Sequence, residues 1–269
     1  NKTANYSSGS GTASLVFTYT IASGDTDANG ISIAANSLAL NSGTIADLAG
    51  NAATITHSAV ADNASYLVDT TAPATPTVTL GTGVSDGATS TEATQAGGVV
   101  TVTAESGSSV SVTFTRGANT VTKTVTGNGA TAVAVVLTST DLTTLGNGTI
   151  SVSATATDAA GNASTAGSGS FTLDTVAPTV STVAITSATG IQNSTLNAGD
   201  VVSVTVTMSE AVNVTGTPQL TINVGGTNKT ANYSSGSGTA SLVFTYTIAS
   251  GDTDANGISI AANSLALNS

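Results

Sequence analysis

Apolar and polar side chains alternate along most of this chain with a period of two. Leu15, Phe17, Tyr19 and Ile21 share one face, while Val16, Thr18 and Thr20 take the other. Val100, Val102 and Ala104 alternate with Thr101 and Thr103, and Val110, Val112 and Phe114 continue the pattern. Ile150, Val152, Ala154 and Ala156 are interleaved with Ser and Thr, and Val202, Val204, Val206 and Met208 alternate further on. Period two places every second side chain on one face of a strand, so the pattern predicts half-buried β-strands. Over 74–178 it predicts seven of them, near 76–80, 99–104, 109–115, 120–126, 132–138, 149–157 and 166–173. Gly-Asn-Gly stretches at 127–129 and 146–148 separate strands. Seven short strands in about 100 residues, with turn signals between them, predict an immunoglobulin-like β-sandwich.

Two near-identical phrases punctuate the pattern: Asp69-Thr70-Thr71-Ala72-Pro73 and Asp174-Thr175-Val176-Ala177-Pro178. Proline lacks an N–H and extends the residue before it, which suits a connector between sheets. These phrases use two of only four prolines. Each is expected to join successive domains.

Residues 1–42 recur without a change as 228–269. An unchanged repeat of this length predicts a tandem array. Two sandwich-sized units then alternate. Residues 1–73 are expected to be the C-terminal part of a longer repeat, 74–178 a complete repeat, and 179–269 the N-terminal part of a second copy of the longer one. The fold class is therefore all-β: tandem immunoglobulin-like β-sandwiches, with the two terminal ones incomplete. An incomplete sandwich is expected to expose apolar groups and an open strand edge.

Charge narrows the partners. Fifteen acids face four bases, for a net −11, which disfavours nucleic acid and favours cations. There is no cysteine, so stability must come from packing or ions. No apolar run approaches the ~20 residues that span a bilayer. No nucleophile–base pair is legible around the one histidine, His57, and no enzyme is expected. Glu92 and Asp141 read as surface residues.

The acids cluster by position. Asp25, Asp27 and Asn29, repeated as Asp252, Asp254 and Asn256, alternate before a glycine like the first half of an EF-hand loop, without its terminal glutamate. Asp47-Leu48-Ala49-Gly50-Asn51 and Asp158-Ala159-Ala160-Gly161-Asn162 read as tight turns flanked by oxygen side chains. In an immunoglobulin-like sandwich, the linker, the turn after the second strand and the last hairpin share one pole. Asp69, Glu105, Asp158 and Asn162 are thus expected to meet at one joint, and Asp174 and Glu210 at the next. Carboxylates held close with few bases nearby call for a hard cation, and oxygen ligands select Ca²⁺.

Together, the Asp-x-Ala-Gly-Asn, Asp-Thr-x-Ala-Pro and Gly-Asp-x-Asp-x-Asn-Gly phrases resemble the bacterial immunoglobulin-like repeats of giant RTX or biofilm-associated surface adhesins. The resemblance implies calcium-stiffened extender repeats on a bacterial cell surface, outside the cell, projecting a distal binding region for adhesion. The partners it implies are neighbouring repeats of the same chain, with no membrane insertion. Strand-swapped self-association through the incomplete units is a further expectation. The alternative is a module that itself grips a glycan or protein, although there is no Trp to stack on sugar. Ice binding through rows of Thr is a variant of that alternative.

Overall fold

The computed structural model describes residues 1–267; the last two residues of the expected 179–269 segment lie outside the described residues. The chain separates into two compact units, Asn1–Thr175 and the stretch from Val176 onward.

Residues 1–73 form three small antiparallel pairs. Strand β1 (Asn5–Ser8) pairs with β2 (Val16–Thr18), β3 (Thr26–Asp27) with β6 (Val68–Asp69), and β4 (Ile31–Ile33) with β5 (Val60–Asn63). Tyr6 lies opposite Phe17, and their rings meet edge to face at 5.9 Å.

The following strands are β7 (Thr77–Leu80), β8 (Val100–Ala104), β9 (Ser109–Arg116), β10 (Asn119–Thr126), β11 (Gly129–Val135), β12 (Gly148–Thr157) and β13 (Gly167–Leu173). They form two sheets, β11-β8-β7 and β10-β9-β12-β13. This is an immunoglobulin-like sandwich, and its seven strands fall where alternation places them. The inward residues of both sheets make one core, which includes Val100, Val102, Val112, Phe114, Ile150, Val152 and Phe171. Phe114 and Phe171 meet edge to face at 6.4 Å.

Among the described residues, besides a 3-10 turn at Val84–Asp86, two short α-helices interrupt the all-β pattern: α1 (Ser90–Ala93) and α2 (Ser139–Leu145). Each starts in a capping box, in which a threonine side chain and an acid three residues on satisfy each other's backbone N–H. Thr89 and Glu92 form the first, Thr138 and Asp141 the second. Glu92 and Asp141 are therefore cap residues rather than free surface acids. Asp141 also pairs with Lys123 on β10 at 2.5 Å. Buried Ala93, Leu142 and Leu145 fasten the helices to the core.

In the second unit, β14 (Val180–Ala188), β15 (Val201–Val212), β16 (Gln219–Val224), β17 (Thr227–Ser235), β18 (Thr239–Thr247) and β19 (Leu265–Ala266) form one sheet ordered β14-β15-β18-β17-β16-β19. Val204, Val206, Leu220, Ile222, Ala231, Leu242 and Phe244 form its core. Edge strand β14 leaves Val180, Val183 and Ile185 exposed.

The duplicated segment supplies an internal control. Leu15 and Phe17 are each 37% exposed, whereas the same residues in the second copy, Leu242 and Phe244, are 5% and 0% exposed. The sequence is identical, so only surroundings differ. Val204 and Val206 on β15 stand opposite Phe244 and Leu242. Residues 201–224 thus provide the cover that residues 1–73 lack.

Candidate metal sites at the linker pole

Sheet register gathers the turns of the sandwich at one end. Thr157 and Thr126 both lie opposite Ser109, Ala104 lies opposite Gly129, and Ala154 lies opposite Gly167. Turns 105–108, 127–128 and 158–166 therefore share the pole where the chain enters β7. The incoming linker is fastened along that pole. Asn162 Nδ2 donates to the backbone oxygen of Asp69 at 3.1 Å. The Thr75 and Thr165 hydroxyls bond each other. Gly167 lies so close to Pro76 that a Cβ there would come within 1.9 Å of the proline carbonyl oxygen. Ala74, Thr75 and Glu105 line one open cleft of about 430 Å³.

The Asp-x-x-Gly-Asn phrase folds the same way twice. Asp158 Oδ1 accepts the Asn162 backbone N–H at 2.8 Å, and its Oδ2 accepts Asn162 Nδ2 at 2.8 Å. Asp47 makes the matching bonds to Asn51 at 2.8 and 2.7 Å. Gly161 and Gly50 sit at φ +92° and +93°, where a side chain would be strained. The asparagine side-chain bond leads the interactions that hold both Asp47 and Asp158 below the usual carboxylate range. Asp69 Oδ1 accepts the Thr71 N–H at 2.9 Å, and the Glu105 side chain is exposed. Asp69, Asp158 and Asn162 are thus tied together, with Glu105 on the neighbouring turn. Among the described residues, no three Asp, Glu or His side chains group so as to hold a metal ion. A cation here would need backbone and amide oxygens to fill its shell, which calcium accepts.

The two Asp-x-Asp-x-Asn loops are engaged differently. Asp25, expected as an ion ligand, is buried. It pairs with Lys2 and accepts from Tyr19 Oη at 2.6 Å and Ala22 N at 2.8 Å. The second copy repeats this arrangement. Asp252 pairs with Lys229 at 2.7 Å and accepts from Tyr246 Oη at 2.6 Å and Ala249 N at 2.9 Å. The lysine ammonium supplies the positive charge that a bound ion would otherwise bring. Asp27 Oδ1 accepts the N–H groups of Asn29 and Gly30, and Asp254 those of Asn256 and Gly257. Asp254 Oδ2 further accepts Gly225 N at 2.8 Å. Both loops are thus closed by protein donors.

This arrangement gives an acid-dependent stability. The Lys229 bond, then the Tyr246 hydroxyl, hold Asp252 at about 2 against an ordinary 3.8. A lowered folded-state value means stabilisation that is present above the ordinary value and shed as pH falls through the folded one. Urea midpoints of the second unit should therefore fall from about pH 4 to about pH 2. Asp252→Asn should lower the midpoint at neutral pH and flatten that acid limb. Parallel pH curves for the two proteins would refute the role.

Asp174 lies at the opposite end of the sandwich, beyond β13. Its N–H donates to Ala88 O at 2.9 Å. Asn147 clamps the phrase: its Nδ2 donates to Asp174 Oδ1 at 3.3 Å, and its Oδ1 accepts the Thr175 N–H and hydroxyl at 3.2 and 2.8 Å. Asn147 reads only as a turn residue in the sequence, and nothing local signals the clamp. Glu210 belongs to the other unit, half-buried on β15.

No family model matches the chain, and no curated protein matches it. Three solved structures match. One is a calcium-stabilised adhesin that helps an Antarctic bacterium reach out and bind ice, at 28% identity, over 75% of this chain and 46% of that one, TM-score 0.36. Another is a tetra-tandem repeat from the extending region of a large adhesion protein, at 25% identity, over 79% and 47%, TM-score 0.31. The third is a 1.5-MDa bacterial ice-binding adhesin, at 21% identity, over 76% and 61%, TM-score 0.33. All three are adhesion proteins. This chain spans less than two thirds of each.

Proposed function

We propose that this chain is a stretch of extender repeats from a large bacterial surface adhesin, a stalk that carries a distal binding region away from the cell. The observation that carries the reading is the unchanged 42-residue duplication, set in an array of sandwich-sized units. Repetition without variation suits length and stiffness, since each unit needs only to pack on its neighbours. The linker bonded along the pole of the sandwich supports stiffness in particular. Its hydrogen bonds to Asn162 and Thr165 oppose bending at 69–76.

Calcium is the proposed stiffener of that joint. Asp69, Asp158 and Asn162 would hold it, with Glu105 the nearest further carboxylate. A bound divalent cation would relieve repulsion among acids in a chain of net −11. The ion would stabilise the folded chain by linkage. Titration calorimetry of the chain with CaCl₂ is expected to show saturable heat, lost at this joint in Asp158→Ala. A flat titration of the unaltered chain would remove calcium from the account and leave the stalk reading to be judged by shape.

A further inference from the structure

The phrase that leaves the sandwich, Asp174-Thr175, is gripped as firmly as the phrase that enters it, and by different means. Strand β13 ends at Leu173, and the next N–H, from Asp174, donates to Ala88 O at 2.9 Å. Asn147 adds three bonds, giving one to the Asp174 carboxylate and taking two from Thr175. A side-chain amide can do both because it carries donor and acceptor on one plane.

Asn147 sits in a turn that is itself held. Helix α2 runs into that turn, ending at Leu145. The chain's one arginine, Arg116 at the end of β9, donates from Nη1 to Leu145 O at 3.3 Å. A cation at a helix C-terminus satisfies an orphan carbonyl and meets the negative end of the dipole. The guanidinium lies across the turn. A Cβ at Gly148 would come within 2.7 Å of Arg116 Nε, and one at Gly146 within 3.3 Å of Nη1. Glycine on each side of Asn147 leaves room for the arginine. At the other end of α2, Lys123 on β10 pairs with the capping acid Asp141. Two of the chain's four basic residues, both on the β9–β10 hairpin, thus hold the two ends of one helix. A helix of seven residues does not persist on propensity alone. These contacts, with buried Leu142 and Leu145, set where it lies.

We propose that hairpin, helix and turn form a strut that fixes the path of the outgoing linker, with Arg116 as the positioning residue and Asn147 as the grip. The bonds at the grip are donated by protein N–H and O–H groups. The two ends of the sandwich then differ in kind. The incoming linker meets the acids proposed for calcium, while the outgoing one is held by hydrogen bonds that survive calcium removal. The clamp rests on the stalk reading only in treating 174–178 as a linker, so a flat calcium titration would leave it standing.

Hydrogen exchange of the full chain, resolved by NMR, reads the grip at the Thr175 amide, whose acceptor is Asn147 Oδ1. In the unaltered chain this amide is expected to be equally protected in CaCl₂ and in EDTA. Protection that vanishes in EDTA would overturn the proposal without recourse to any variant. Asn147→Ala should speed exchange at Thr175 by about tenfold, the scale of a lost hydrogen bond. It should leave protected the Gly146 amide, which donates to Leu142 O, and the core amides of Val112 and Ile150. Arg116→Met keeps an unbranched stem without the guanidinium, and should speed exchange at both Gly146 and Thr175. Thr175 exchange that is unchanged in either variant would overturn the strut.

Discussion

Phe244→Ala should destabilise the second unit by about 3–5 kcal/mol, the range for emptying a buried phenylalanine site. The same substitution in the same sequence at Phe17 should cost only about 1 kcal/mol, the worth of an edge-to-face contact with Tyr6. The two side chains share every local neighbour, including a ring partner at 5.8 Å for Phe244 and 5.9 Å for Phe17. They differ in what covers them. Phe244 is wholly buried against Val204, while among the described residues Phe17 is paired across its strand only by β1. Hydrogen exchange can read the two regions separately, through amides of 201–247 and of 5–18. Loss of protection should be large in the first and slight in the second. Comparable losses would mean that residues 1–73 carry a core of their own. Since a domain's whole stability is about 5–15 kcal/mol, the larger loss would bring the second unit close to unfolding.

Gly167→Val should detach the linker from the sandwich. A Cβ at 167 falls 1.9 Å from Pro76 O, and the clash is with backbone, which cannot rotate away. Strand β13 is fixed by its ladder to β12, so the linker must move. Overpacking of this kind costs about 1–3 kcal/mol. Its signature would be local: exchange of the 74–80 amides should accelerate while Val112 and Ile150 in the core stay protected. Gly169→Ala is the control. There the nearest atom is Val78 Cγ1 at 3.1 Å, a side-chain end able to shift, and the effect should be mild. Similar behaviour in both variants would show that the linker is not held at Gly167.

What the sequence reveals, and what it hides, follows from range. The seven sandwich strands are legible because burial of one face writes a period of two directly into neighbouring residues. Helices α1 and α2 are too short to show a period. Their only local mark is a threonine followed three residues later by an acid, as in Thr89–Glu92 and Thr138–Asp141. Asp25 and Asp252 show the opposite case. Their spacing in the loop resembles an ion site, yet Lys229 and Tyr246, which hold Asp252, come from β17 and β18. Tyr246 lies six residues before Asp252, but Lys229 reaches it only through strand pairing, so no local phrase announces the ion pair. The joint at Asp69 was more readable. The pole shared by linker, second turn and last hairpin is a property of the sandwich topology, and that topology follows from the strand count. The bond from Asn162 to a backbone oxygen rather than to the Asp69 carboxylate was not readable, because it depends on the path of the linker.

Small-angle scattering with and without calcium is the most direct measure of a stiff stalk. The chain in CaCl₂ should scatter as an elongated particle of fixed maximum dimension, and EDTA should shorten and broaden its distance distribution. Identical distributions in calcium and in EDTA, both those of a flexible chain of domains, would contradict the account.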